Sequence, residues 1–160
     1  MRHQYPLPLH HSWPLFERAR HFDLGWVNRN GTRPPTEMRI GAAAESEAMT
    51  RAGVGVWHCD LAGNRLTWSP TVYDLFGIPR GAAVSRDDAV ALYCEGSRAA
   101  MERLRAHAID HRRGFTLDVE IGPARTQTRW VRLIAAPECD GETVVGLHGY
   151  KCLLGPELSA

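Results

Sequence analysis

The side chains able to do chemistry in this 160-residue chain are eight histidines and four cysteines, and their spacing limits what they can do. Cys59, Cys94, Cys139 and Cys152 form no Cys-x-x-Cys pair and no metal-finger spacing, so they read as free, partly buried thiols of a reducing compartment. His3, His10 and His11 have the look of a metal-binding tail, but a solvated tail is the expected state. His107 and His111 fall on one long helical stretch. His107 projects off its apolar face, and His111 lies at the edge near the C-terminal end, where the helix dipole favours a cation. His58 and His148 alternate with apolar residues in strand-like segments. Each is either a satisfied sheet histidine or a pocket-lining one, and a buried histidine can act as a pH switch. There is no Ser/His/Asp arrangement at an informative spacing, no marked pair of carboxylates and no phosphate-binding loop. No catalytic residue, bound metal or enzymatic activity is expected.

Bulk properties narrow the field further. The formal net charge is +1, too small for broad attraction to nucleic acid or to a membrane surface. No apolar run approaches the roughly 18 residues a spanning helix needs. Pro6, Pro8, His10 and His11 interrupt any leader-like stretch, so a cytoplasmic protein is expected. Hydrophobic residues make up 44% of the chain, which is enough for one core. The basic residues are all Arg except Lys151, a bias read as genome composition.

These side chains must be positioned by elements that the pattern outlines. Residues 1–35 form a Pro- and His-rich extension. Within it, Leu15, Ala19, Phe22 and Trp26 recur at helical spacing, predicting a short amphipathic helix over Ser12–Leu24 with Trp13 and Phe16 nearby. Residues 36–53 predict a second helix, closed by Gly53. A core follows over 54–153, and 154–160 is a short tail. Val54–Leu61 alternates as a strand, with Gly55, Trp57 and Cys59 on one face. After a Gly63-Asn64 turn comes a strand over Arg65–Trp68, then a short helix with Ser69 as N-cap and Pro70 at the first helical position. Ser85 and Asp88 open the next helix as a capping box. Ser97 is placed to cap a longer one over Arg98–Arg112, with an Arg98–Glu102 pair on its surface and Met101, Leu104, Ala108 and Ile109 on its apolar face. Gly114 is expected to break that helix. Strands over Phe115–Ile121, Trp130–Ala136 and Val144–Cys152 complete the order, with an Asp140-Gly141 hairpin turn. Trp130 is expected to bury a large area in the sheet.

Several of these residues form a series: Trp57 with Asp60, Trp68-Ser69, Phe76-Gly77-Ile78, Arg129-Trp130-Val131, Asp140-Gly141 and Gly146. In this order and at these intervals the chain resembles the PAS domain family, in the subgroup with a Trp on each of the first two strands, over residues 52–153. The resemblance implies an α+β PAS fold: a five-stranded antiparallel sheet with helices on one face, here with an N-terminal helical extension. Three departures stand out. Many relatives open the long helix with His-Pro-x-Asp-Arg, where this chain has Cys94-Glu95-Gly96-Ser97-Arg98. Relatives often end the last strand in Asp-Ile-Thr, leading to a signalling helix, where this chain has Tyr150-Lys151-Cys152 and eight further residues. After Glu120 an Arg is replaced by Ile121-Gly122.

The flavin motif of light-sensing relatives, Asn-Cys-Arg-Phe-Leu-Gln, is missing, and His107 and His111 are the only long-helix candidates for haem. No cofactor is expected. The resemblance implies a single-domain bacterial signalling adaptor or regulator, acting through protein–protein contacts. Its implied partners are itself, as a homodimer, and a sensor histidine kinase or another PAS-containing regulator. Leu15, Phe16, Ala19, Phe22 and Trp26 are the candidate interaction surface. The other reading is a sensory receptor with a small-molecule pocket between sheet and helices, near Trp57, Trp68, Tyr73, Phe76, Tyr93 and Met101.

Overall fold

The computed structural model describes residues 10–24, 46–122 and 127–154. Among these residues six strands form one antiparallel sheet in the order β1-β4-β5-β6-β2-β3. They are β1 (His10–Pro14), β2 (Val54–Asp60), β3 (Arg65–Trp68), β4 (Arg113–Ile121), β5 (Arg129–Asp140) and β6 (Thr143–Leu154). The strands β2 to β6 are the five expected; β1 is an added edge strand from the N-terminal extension. Strand alternation divides the core in two. One set, including Trp57, Cys59, Phe115, Leu117, Val119, Val131, Leu133 and Leu147, meets helices α3 (Pro70–Phe76), α4 (Arg86–Ala91) and α5 (Glu95–His111). The alternate residues Val54, Ile134, Ala136, Tyr150 and Cys152 form a second cluster on the outer face with Trp13, Phe22 and Met49.

The N-terminal extension builds that second cluster, and its local structure differs from the expected helix. Residues 10–14 are strand, Leu15–Glu17 a 3-10 turn, and only Arg18–Leu24 is helix (α1). A 3-10 turn advances about 120° per residue rather than 100°, so the 3.6-residue register of Leu15, Ala19 and Phe22 does not run through it. Ala19 is accordingly exposed while Phe22 is buried and Leu15 half-buried. Phe22 lies edge-on to Tyr150 at 4.9 Å, so it is buried on its own sheet. Phe16 is 88% exposed. Trp26 lies outside the described residues, as do His3 and the first part of the 36–53 helix. Of that helix, α2 (Glu47–Arg51) is described, capped by Ser46, with Met49 fully buried.

Other boundaries move for identifiable reasons. The long helix begins at Glu95, not Arg98. Ser97 therefore sits inside its first turn, where its Oγ accepts a bond from Glu120 N at 2.8 Å. Arg98 does not pair with Glu102: it donates to the carbonyls of Val90, Ala91 and Tyr93, closing the end of α4, and Glu102 pairs with Arg86. Ser69 occupies the cap position of α3, yet its hydroxyl accepts from Val56 N on β2 at 2.8 Å. Gly77 ends α3 with φ +68°, a conformation glycine adopts without steric cost. Trp130 is half-buried rather than a core residue. It shares the outer face of β5 with Arg132 and Ile134, opposite Glu120 and Leu154, beyond the stretch that β1 flanks.

Candidate functional site

Among the described residues, one buried side chain on the inner face of the sheet breaks its apolar pattern. Along β6 the inward positions are Leu147, Gly149, Lys151 and Leu153, and Lys151 is flanked across the sheet by Gly55 and Leu133. Its side chain is buried, only 6% exposed. Nζ sits over three aromatic rings, 4.8 Å from the centre of Phe76, 5.2 Å from Trp57 and 5.5 Å from Trp68. A cation over a ring face gains electrostatic attraction, more so when desolvated. That attraction replaces a counter-ion: among the described residues no carboxylate pairs with Lys151. Burial drives its pKa from 10.5 down to about 7, with Cys59 opposing slightly.

The aromatic frame has a local origin. β2 and β3 are hydrogen-bonded neighbours, which puts Trp57 opposite Trp68. The helix α3 returns over β3, so Phe76 stacks on Trp68 at 4.7 Å and Tyr73 meets it edge-on at 5.3 Å. Phe76 also contacts Tyr93 at 5.8 Å. A cavity of about 50 Å³ lies between this frame and the helices; Trp57, Trp68, Tyr93, Met101 and Lys151 line it, with Cys59, Leu66 and Leu133. Arg86 and Arg105 also border it, from α4 and α5. That leaves room for a small occupant, since a single water needs only about 10–15 Å³.

The polar atoms around the cavity are donors almost without exception. The indole N–H groups of Trp57 and Trp68 are buried and have no hydrogen-bond partner among the described residues. Arg86 is paired with Glu102, whereas among the described residues Arg105 donates only to the neutral amide oxygen of Asn64, at 3.1 Å. Burial holds the Tyr93 hydroxyl well above its ordinary pKa, with Arg86 opposing and Glu102 adding. A buried donor without an acceptor costs free energy, so this arrangement favours an acceptor-rich occupant.

Of the six residues read from sequence as pocket candidates, the fold brings Trp57, Trp68, Tyr93 and Met101 to the cavity wall. Phe76 stands behind, against Trp68 and Lys151, and Tyr73 spends its hydroxyl on Ala82 O at 2.8 Å. Lys151, Arg86 and Arg105 were missed. The available signal was the alternation of the last strand, which puts the sole lysine on the face shared with Leu147.

The remaining reactive side chains lie elsewhere. His107 and His111 are exposed on α5, their rings 4.4 Å apart. His58 meets Glu138 on the outer face at 3.1 Å, and burial lowers the pKa of the neighbouring His148. Burial, with Glu120 adding, raises that of Cys94; burial pushes Cys152 up to about 12. Among the described residues no group of His, Cys, Asp or Glu could hold a metal ion, and no helix is long and apolar enough to cross a membrane.

No family model matches the chain, and no curated protein matches it by sequence. Solved structures do match. The N-terminal domain of a diguanylate cyclase with PAS/PAC sensor from Marinobacter aquaeolei superposes with a TM-score of 0.59 at 15% identity, over 65% of this chain and 97% of that one. A sensory box histidine kinase/response regulator from Burkholderia thailandensis gives 0.56 at 12% identity, over 69% and 83%. An RNA-binding light-oxygen-voltage receptor gives 0.58 at 13% identity over 65% of this chain, and the match spans 30% of that receptor. At these identities the likeness speaks for architecture, and together with the sheet order and helix placement it shows that this chain folds as a PAS domain.

Proposed function

We propose that this PAS domain is a sensory module of a signalling system whose input is a small molecule held in the cavity beside Lys151. One observation carries the reading: a cavity is lined by Trp57 and Trp68, whose buried indole N–H groups have no acceptor among the described residues. A folded domain keeps such groups unsatisfied at a cost that a bound acceptor removes. Native mass spectrometry of the protein purified from its own cells tests this, with an absorbance spectrum alongside. A bound small organic molecule supports it. Haem or flavin absorbance near one per chain refutes the expectation that neither cofactor is used.

A second reading is favoured by Phe16, which stands 88% exposed beside the buried Trp13 and Phe22. On that reading the N-terminal segment is a contact surface of a cytoplasmic adaptor, its partner being a sensor histidine kinase, another PAS-containing regulator or a second copy of this chain. Light scattering of the full chain and of Phe16→Ser distinguishes them: a dimer lost on substitution supports the contact surface.

A further inference from the structure

We propose that Lys151 captures a small carbonyl compound bearing a carboxylate, of the size of glyoxylate or a short 2-oxo acid, as an imine on Nζ. The inference rests on the ligand-binding reading above and names its ligand chemistry. Three features converge on it. First, Lys151 is a buried amine with no carboxylate partner among the described residues, held against Phe76, Trp57 and Trp68. A desolvated lysine in an apolar pocket is the setting in which the amine, rather than the ammonium, is populated near neutral pH and attacks carbonyl carbon. The lowered pKa, about 7, agrees with that setting.

Second, the amine lines an existing cavity, and about 50 Å³ suits a ligand of a few heavy atoms. Third, the cavity supplies donors for the rest of such a ligand. Among the described residues Arg105 has no carboxylate partner, and the Trp57 and Trp68 indoles have no acceptor. A ligand carboxylate would bring the negative charge that the cavity lacks, since no Asp or Glu lines it.

The chemistry balances without an oxidant or reductant. The Nζ lone pair adds to the carbonyl carbon, and an amine proton passes to the carbonyl oxygen to give a carbinolamine. Loss of that oxygen as water forms the C=N bond. Protonated, the imine keeps its single positive charge over the three rings and next to the ligand's own carboxylate.

The test uses the full chain, glyoxylate as probe and cyanoborohydride to trap the imine, read by intact mass and peptide mapping. The expected result is one carboxymethyl group per chain at Lys151 at pH 7, formed at least about tenfold faster than in the chain unfolded in guanidinium, where the lysine keeps an ordinary pKa. Arg105→Gln should fold and slow the trapping, which keeps the proposal testable should Lys151→Met fold poorly. Binding without chemistry is read separately, by the thermal shift that glyoxylate and the carbonyl-free lactate produce. A thermal shift with Lys151 unmodified overturns the imine and leaves a ligand cavity. No shift and no modification overturns both. Modification only at the α-amino terminus also overturns the imine.

Discussion

The indole of Trp13 lies over Gly114, its register partner across β1 and β4, so closely that any side chain at Gly114 would collide with the ring. The same indole donates to Thr116 Oγ1 at 3.1 Å and stacks on His21 with centroids 4.5 Å apart. The extension is thereby fastened to the sheet through one fully buried residue. Trp13→Ala is expected to cost about 3–5 kcal/mol, in the range for a buried aromatic truncation. Trp130→Ala, at a half-buried outer position, is expected to cost about 1 kcal/mol. Urea melts of both variants check this; equal costs would contradict the difference in burial between the two rings.

Gly114→Val is expected to displace β1 without harming the inner core. The free β4 edge and the uncovered Tyr150 and Ile134 should then bind a hydrophobic dye such as ANS. Unchanged dye binding and an unchanged melting temperature would show that the ring moves aside freely.

Asp118 and Arg132 form a two-bond pair on the outer face, at 2.8 and 3.1 Å, with the Asp118 side chain 1% exposed. Arg132→Met strands a buried carboxylate and is expected to cost about 3 kcal/mol. Adding Asp118→Leu should recover most of it, because breaking a buried pair costs more than replacing it whole. A double variant no better than the single one would refute that account, and a denaturation series on the four proteins reads it.

Lys151 makes stability depend on pH in a stated direction. Its folded pKa is about 7 against an ordinary 10.5. Below pH 7 both states hold the proton and the burial penalty is present in full. Between about 7 and 10.5 the unfolded chain holds more protons, so stability rises with pH. Arg86, Arg105, Cys59 and Tyr93 share the cavity wall and remain in the variant, so comparison with Lys151→Met isolates the amine. That variant should gain over wild type below pH 7, on the order of 3–5 kcal/mol, because lowering a pKa by one corresponds to about 1.4 kcal/mol. The gain should shrink toward pH 10. Melts at pH 6, 8 and 10 measure it; a constant difference would place Lys151 in contact with water.

The sequence carried most of the inner layer, because inward residues of β2, β4 and β5 alternate cleanly: Trp57 and Cys59, then Phe115 to Ile121, then Val131 and Leu133. It carried the N-terminal segment poorly. Trp13 owes its place in the sheet to pairing with residues about a hundred positions away, which no local periodicity encodes, and the 3-10 turn at Leu15–Glu17 breaks the helical register that groups Leu15 with Ala19. Gly114 illustrates the same point. Locally it reads as a helix breaker, yet Arg112 already ends the helix with φ +51°, and the glycine instead makes room for a ring from the other end of the chain. Lys151 escaped notice because composition explained it away, while its position in the strand placed it among rings.

The pairing of β1 with β4 also sets an order of events during synthesis. Trp13 and Thr116 are 103 residues apart, so the N-terminal strand leaves the ribosome long before its sheet partner exists. At typical elongation rates that interval lasts roughly 5–20 s. Through it Trp13 and Phe22 have no sheet edge of their own to join, and the edge strand must wait for a partner made about a hundred residues after it.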